Sequence, residues 1–237
     1  TFGKLLNGGQ LCLSPDYVIV PEELEEQLIA RVIHETQSMY PNITENIDYA
    51  GVFDERHFAR LQGYIDDAVA KGAKLTIVGA DKTRASENNR RMPLHILQNV
   101  TEDMQVMHEE IFGPILPVMT YTNINEVPDK IEPRRNPLAL YYFGKDNAEQ
   151  EYLLNHVPSG GACINDITLH YVQEDLPFGG VGASGMGAYH GPEGFKNMSH
   201  GRAIYSQTMI DILPIIGARP PFGEKFRKNI RKILGAI

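Results

Sequence analysis

Helical and strand-like hydrophobic periods alternate through most of this chain, and that alternation admits few folds. Apolar residues recur at helical spacing in residues 21–39 (Leu24, Leu28, Ile29, Val32, Ile33) and again after Asp54 (Phe58, Leu61, Ile65, Val69). Pro21 suits a first helical position, with Glu22 and Glu23 at the positive end of the dipole. Asp54 suits an N-cap, and Gly72 marks the second helix's end. Short apolar runs at residues 18–20, 75–78, 94–97, 115–121, 138–143 and 160–165 read as strands. Residues 127–135, 148–156 and 191–198 read as further helices. The succession predicts an α/β fold with a largely parallel sheet flanked by helices. Pro117 predicts that its strand is an edge or irregular, because proline cannot donate to a ladder.

Composition narrows the function classes. Net charge is −8, and there is no basic stripe interleaved with aromatics, which argues against a nucleic-acid partner. Two cysteines, Cys12 and Cys163, make no disulfide framework and suit a reducing, cytoplasmic compartment. No signal peptide and no membrane-length apolar run is present. The chain starts without Met and without a lead-in to its most informative motif, so we expect a piece of a longer protein. Residues 81–91 are polar and charged, a solvated loop or an anion site.

That motif is Asn7-Gly8-Gly9-Gln10-Leu11-Cys12, followed by Leu13-Ser14-Pro15 and the run Val18-Ile19-Val20. It reads as a helix end, a tight turn carrying a thiol, then a strand. Gly8 and Gly9 permit positive φ or close backbone approach beside the sulfur. Gln10 and the amides around Cys12 are candidate donors to a developing negative charge. The alternative is that Cys12 is a small buried hydrophobe. Cys163, inside a buried strand, reads as structural.

Three later stretches carry chemistry-bearing side chains. Glu109-Glu110-Ile111-Phe112-Gly113-Pro114 sets carboxylates and an aromatic on a Gly-Pro turn, either at a cleft mouth or as a solvated surface turn. Leu176-Pro177-Phe178-Gly179-Gly180-Val181-Gly182 lacks the Gly-Lys-Ser/Thr ending of a phosphate loop and reads as an ordered loop around a site, Phe178 pointed into it. In residues 224–237, Phe226, Ile230, Ile233, Leu234 and Ile237 share one helical face, with Lys225, Arg227, Lys228, Arg231 and Lys232 around it. Such a basic amphipathic helix suits an anionic membrane surface, its own protein or a partner subunit. Residues 202–209 read as a strand. We therefore expect an α/β domain over residues 1–200, and over 201–237 a strand and basic tail making subunit contacts.

Taken together, the motifs resemble the C-terminal, catalytic half of an aldehyde dehydrogenase of the class 3 and coniferyl-aldehyde-dehydrogenase branch. The resemblance rests on Asn7–Cys12, Glu109–Pro114, Asn136-Pro137-Leu138-Ala139-Leu140-Tyr141 and Leu176–Gly182, continued by Ser184-Gly185-Met186-Gly187-Ala188-Tyr189-His190-Gly191. It implies that Cys12 is the catalytic nucleophile, that Glu110 binds the nicotinamide ribose hydroxyls, that Phe112 packs beside that ribose and ring, and that Phe178 lines the substrate funnel. It implies NAD or NADP as cofactor, NAD favoured, and an aromatic, bulky or medium-chain aldehyde as substrate. It implies a homodimer and no metal. Weak membrane-surface contact through the tail is an expectation from the composition of residues 224–237 and not from the resemblance. The family's general-base Glu, oxyanion Asn and dinucleotide-binding domain precede the nucleophile, so little turnover is expected of these 237 residues alone. A cysteine-dependent hydrolase using one of eight histidines and a non-catalytic assembly module are the competing readings.

Overall fold

A computed structural model describes residues 1–79, 90–134 and 136–235. The chain divides into two units, Thr1–Met198 and Ser199–Ile237. The loop expected at residues 81–91 lies almost wholly outside the described residues, as do Arg135 and Ile237.

The first unit opens with the short helix α1 (Phe2–Leu5) and is organised on β1 (Val18–Pro21), β2 (Lys74–Val78), β3 (Leu94–Gln98) and β4 (Ile115–Tyr121). Their order in the sheet is β1-β4-β3-β2. β4 runs parallel to both neighbours, and only the β2–β3 pair is antiparallel. Helix α2 (Glu25–Met39) covers one face: Ile29 and Val32 pack with Val20, Leu94, Ile96, Leu116 and Val118. Helix α3 (Glu55–Ala70) covers the other, where Leu61, Tyr64, Ile65 and Ala68 meet Leu97 and Ile115. Strand β3 is buried along its whole length, as a central strand between two helical layers must be. The α/β fold and largely parallel sheet expected from the periodicity are what the chain forms.

Several local expectations need correction. Pro117 is in the sheet's interior strand rather than at an edge. It sits where the ladder passes from β3, paired through Pro117, to β1, paired from Val118, so the missing N–H falls at a ladder's end. Pro21 closes β1 instead of starting a helix, and a 3-10 turn over Glu22–Leu24 intervenes before α2. Leu24 and Val69 are exposed, each falling at a helix end beyond the sheet's reach. Asp54 does cap α3, accepting the His57 N–H at 2.6 Å.

β5 (Ala139–Tyr142) and β6 (Gly161–Ile164) form a separate parallel pair. Helices α4 (Val127–Ile131) and α5 (Asn147–His156) pack beside it, with Val127, Ile131, Tyr142, Leu153 and Val157 as a third core against Tyr17 and Ile19. Helix α6 (Gly191–Asn197) ends the unit.

The second unit holds α7 (Ile212–Ile215) and α8 (Glu224–Ile233). Residues 202–209 form no strand among the described residues. Their β-prone composition supplies no hydrogen-bonding edge, and a strand without a paired neighbour has no stability of its own. The amphipathic helix is present as α8. Lys225 and Asn229, on one of its faces, donate to the carbonyls of Ile215 and Ile216 at the C-terminus of α7. Ile233 and Leu234 stay exposed. No described helix is long and apolar enough to cross a membrane.

Candidate active site

Three successive left-handed residues shape the thiol loop: Asn7, Gly8 and Gly9, with φ of 52°, 64° and 75°. The bend turns the chain sharply out of α1 toward β1. Asn7 and Gln10 brace it reciprocally, Asn7 Nδ2 donating to the Gln10 carbonyl at 3.1 Å and Gln10 Nε2 to the Asn7 carbonyl at 2.9 Å. Gln10 also donates to the Gly51 carbonyl at 3.0 Å, and its Oε1 accepts the Phe53 N–H at 2.9 Å. Buried and paired at both ends, Gln10 is a strut for the loop, which corrects its reading as a donor to a developing anion. The next four residues make a turn closed by Ser14 N–H to the Leu11 carbonyl at 2.9 Å. Cys12 projects from this turn, exposed. Leu13 is buried behind it, its carbonyl accepting the Tyr141 hydroxyl at 2.9 Å, and Ser14 Oγ donates to the Gly3 carbonyl at 3.2 Å. Among the described residues the Cys12 N–H meets no backbone carbonyl, so it remains available as a donor.

The thiol loop runs into β1 and the Glu109–Pro114 turn runs into β4. These strands are parallel neighbours, so both turns lie at the same end of the sheet. Their contact is close: a Cβ on Gly9 would lie 2.5 Å from the Gly113 carbonyl oxygen and 2.9 Å from that of Lys4. Asp16 adds a second link, accepting the Ile111 N–H at 3.1 Å. From the other side α3 holds the turn. His57 Nε2 donates to the Phe112 carbonyl at 2.6 Å, and Arg60 donates to the carbonyls of Ile111 at 2.6 Å and Glu110 at 3.2 Å. The Tyr64 hydroxyl donates to Glu109 Oε2 at 2.7 Å. Phe112, at φ 52°, is half-buried, while Glu110 is exposed. Desolvation, then the neighbouring Asp16 charge, pushes the Glu110 carboxyl above the usual carboxylate range, with Arg60 and Lys4 opposing.

Lys4 lies beneath both turns, 2% exposed, its Nζ without a hydrogen-bond partner among the described residues. Burial lowers its ammonium from 10.5 to about 8, although Asp16 and Glu110 pull it back up. A base whose folded pKa lies below its unfolded value binds fewer protons when folded. Stability therefore rises with pH between about 8 and 10.5, and below that window the buried charge costs about 3 kcal/mol. Lys4→Met is expected to melt higher than the parent at pH 7, with the difference shrinking toward pH 10; melting curves across that range check both.

β5 and the loop after β6 close the opposite flank. The Tyr141 hydroxyl is pushed up to about 12, chiefly by burial, and both Cys163 and Cys12 lie near enough for their charge to act on it. Cys12 acts likewise on Tyr189. Phe178 pairs with Tyr189 in an antiparallel bridge, their rings 5.6 Å apart, and it is enclosed by His170, Tyr171 and His190. Cys163 is buried with its Sγ 3.3 Å from His170 Nδ1.

Of the residues singled out from sequence, the fold thus places the turn bearing Glu110 and Phe112 directly against the Cys12 loop. Phe178 comes in through Tyr189 and is itself buried, so little of its ring faces an open mouth. Sequence reasoning missed Lys4, Asp16, Arg60 and Tyr141 as parts of the site. Tyr141 stands inside the Asn136–Tyr141 motif and Asp16 directly after the thiol motif, but Arg60 is placed solely by the packing of α3. An exposed carboxylate that accepts no hydrogen bond among the described residues, next to an aromatic ring on a rigid turn, fits a nucleotide's ribose diol and flat base.

Residues 1–204 match the model of the aldehyde dehydrogenase family. A probable coniferyl aldehyde dehydrogenase of Caulobacter vibrioides is 45% identical over 229 residues, 96% of this chain and 47% of that protein. The coniferyl aldehyde dehydrogenase of Pseudomonas sp. is 38% identical over 222 residues, 93% of this chain and 46% of that protein. Among solved structures, the substrate-bound state of Staphylococcus aureus AldH superposes with a TM-score of 0.80 at 35% identity, covering 99% of this chain and 49% of that one. The chain thus spans about half the length of the curated relatives it matches.

Proposed function

Because this chain belongs to the aldehyde dehydrogenase family, we propose that it carries the nucleophile and the cofactor-facing turn for NAD(P)-dependent oxidation of an aldehyde to a carboxylic acid. The observation that carries the reading is the packing of the exposed Cys12 turn against the Glu110–Phe112 turn through Gly9 and Gly113. Cys12, as thiolate, attacks the aldehyde carbon, and the C–S bond forms as the carbonyl π pair moves to oxygen. The Cys12 N–H, which meets no backbone acceptor among the described residues, stabilises that oxyanion. Nicotinamide, when bound, supplies the hydride acceptor that turns the thiohemiacetal into a thioester. Water then gives a proton to a general base as its oxygen attacks the thioester carbon, and Cys12 leaves as thiolate with the carboxylic acid released. Glu110 and Phe112 would hold the ribose and ring face of the bound nucleotide, and the Tyr141 bond to Leu13 keeps the sulfur in place.

The names of these relatives support an aromatic aldehyde of the coniferyl type as substrate. We propose that bulky or medium-chain aldehydes are also in range and that NAD is used in preference to NADP. We further propose a homodimer, in which residues 201–237 contact the second subunit, in a cytoplasmic setting. A cofactor-free thiol hydrolase would have no use for the Glu110–Phe112 turn.

The test is reactivity. In limited iodoacetamide treatment followed by mass-spectrometric mapping, Cys12 is expected to be labelled well before Cys163. Equal or reversed labelling would count against Cys12 as nucleophile.

A further inference from the structure

Two side chains of α3 direct their polar atoms at the main chain of the Glu110–Phe112 turn. Arg60 Nη2 donates to the Ile111 carbonyl at 2.6 Å and Nη1 to the Glu110 carbonyl at 3.2 Å. Arg60 Nε donates to His57 Nδ1 at 3.1 Å. That bond takes Nδ1 as an acceptor, so the imidazole hydrogen sits on Nε2 and is donated to the Phe112 carbonyl at 2.6 Å. Three consecutive carbonyls are thus gripped by two residues three apart on one helical face. The pair is itself braced. His57 is buried and stacks on Phe53, ring centroids 4.7 Å apart. The Tyr64 hydroxyl accepts from Arg60 Nη1 at 2.7 Å, and the guanidinium lies 5.0 Å from the Tyr64 ring centre.

Two features of the turn require such a grip. Phe112 has φ 52°, a left-handed conformation that an aromatic residue keeps only where its surroundings over-determine it. The turn also carries two adjacent carboxylates, and α3 tells them apart. Glu109 accepts the Tyr64 hydroxyl at 2.7 Å and lies 3.9 Å from Arg60 Nη1. Glu110 is held by α3 through its main-chain carbonyl, which leaves its side chain exposed for a ligand.

We infer that Arg60 is a positioning residue for a nicotinamide nucleotide: directly and through His57 it sets the main chain of residues 110–112, so that the Glu110 carboxylate and the Phe112 ring are presented together. The inference rests on the cofactor reading given above. Lysine cannot take this place, because an ammonium is a point charge, whereas the guanidinium reaches the Glu110 and Ile111 carbonyls, His57 and Tyr64 from one rigid plane.

The experiment measures NADH binding by fluorescence, and KM and kcat with NAD⁺ varied, on the intact polypeptide that carries these residues. Arg60→Met, Arg60→Lys, Glu110→Gln and Phe112→Ala are compared with the parent. Both Arg60 variants are expected to bind NADH about tenfold more weakly and to show a matching rise in KM for NAD⁺. A merely structural loss behaves differently: an unfolded fraction lowers kcat and the number of binding sites but leaves KM and Kd unchanged. Arg60→Lys keeps the charge and the aliphatic stem, so it serves where Arg60→Met folds poorly. If Glu110→Gln and Phe112→Ala both bind NADH like the parent, the cofactor reading itself fails. If either weakens binding while the Arg60 variants keep the parent's Kd and KM, the cofactor reading survives and Arg60 is scaffold alone.

Discussion

In the intact polypeptide that carries these residues, Cys12→Ala is expected to lose at least about 10⁴-fold in kcat/KM for aldehyde oxidation while the fold and nucleotide binding persist. The separation follows from the structure. Cys12 is exposed on a turn whose fixtures lie elsewhere, in the Ser14–Leu11 bond, the Tyr141 bond to Leu13 and the burial of Leu13. Removing the sulfur therefore leaves a stability change within about 0.5 kcal/mol, as at other exposed positions. Steady-state kinetics with an aromatic aldehyde and NAD⁺, beside a thermal melt and NADH titration of the same variant, check all three. Substantial residual turnover would move the nucleophile off Cys12.

Gly9→Ala is expected to do the converse and damage the frame. At φ 75° the new Cβ would stand 2.5 Å from the Gly113 oxygen, 2.7 Å from its carbonyl carbon and 2.9 Å from the Lys4 oxygen. All three are backbone atoms, so no side chain can swing aside. The thiol loop and the Glu110 turn must part, at a cost of about 3 kcal/mol or more once the left-handed strain is added. Denaturant unfolding measures this, with Gly63→Ala as the control. Gly63 lies within α3 with open space where its Cβ would be, and alanine there should add about 1 kcal/mol of stability. Equal effects at the two glycines would refute the tight seam.

The contrast between those glycines shows what the sequence made legible. Helix and strand positions follow from the spacing of Ile29 and Val32 on α2 and of Leu61 and Ile65 on α3, because periodicity is a property of one segment. The pair Gly8-Gly9 before Cys12 likewise announces a tight turn. Periodicity cannot say which strand lies beside which, so the meeting of Gly9 with Gly113 was invisible until β1 was seen to pair with β4. The same gap explains Pro117, whose missing donor looked disqualifying for an inner strand until the ladder was seen to change partners there. Residues 202–209 fail for the complementary reason: propensity supplies a strand's chemistry but not its neighbour. Gln10 looked catalytic because its amide lies two residues from the thiol, and only the positions of Gly51 and Phe53 show both its ends taken.

The parallel register of β1 on β4, Val18 with Val118 through Pro21 with Tyr121, has a metric consequence. The Cys12 sulfur and the Glu110 carboxylate, for which we propose the roles of nucleophile and ribose ligand, sit on turns that lead into separate strands, so the ladder between β1 and β4 serves as their ruler. A slip of one residue would displace one turn against the other by about 3.3 Å and invert the faces of β1. That is about the reach of a near-attack geometry, beyond which orientation is lost. The burial of Val20 and Val118 in one core therefore calibrates a chemical distance as well as stabilising a sheet.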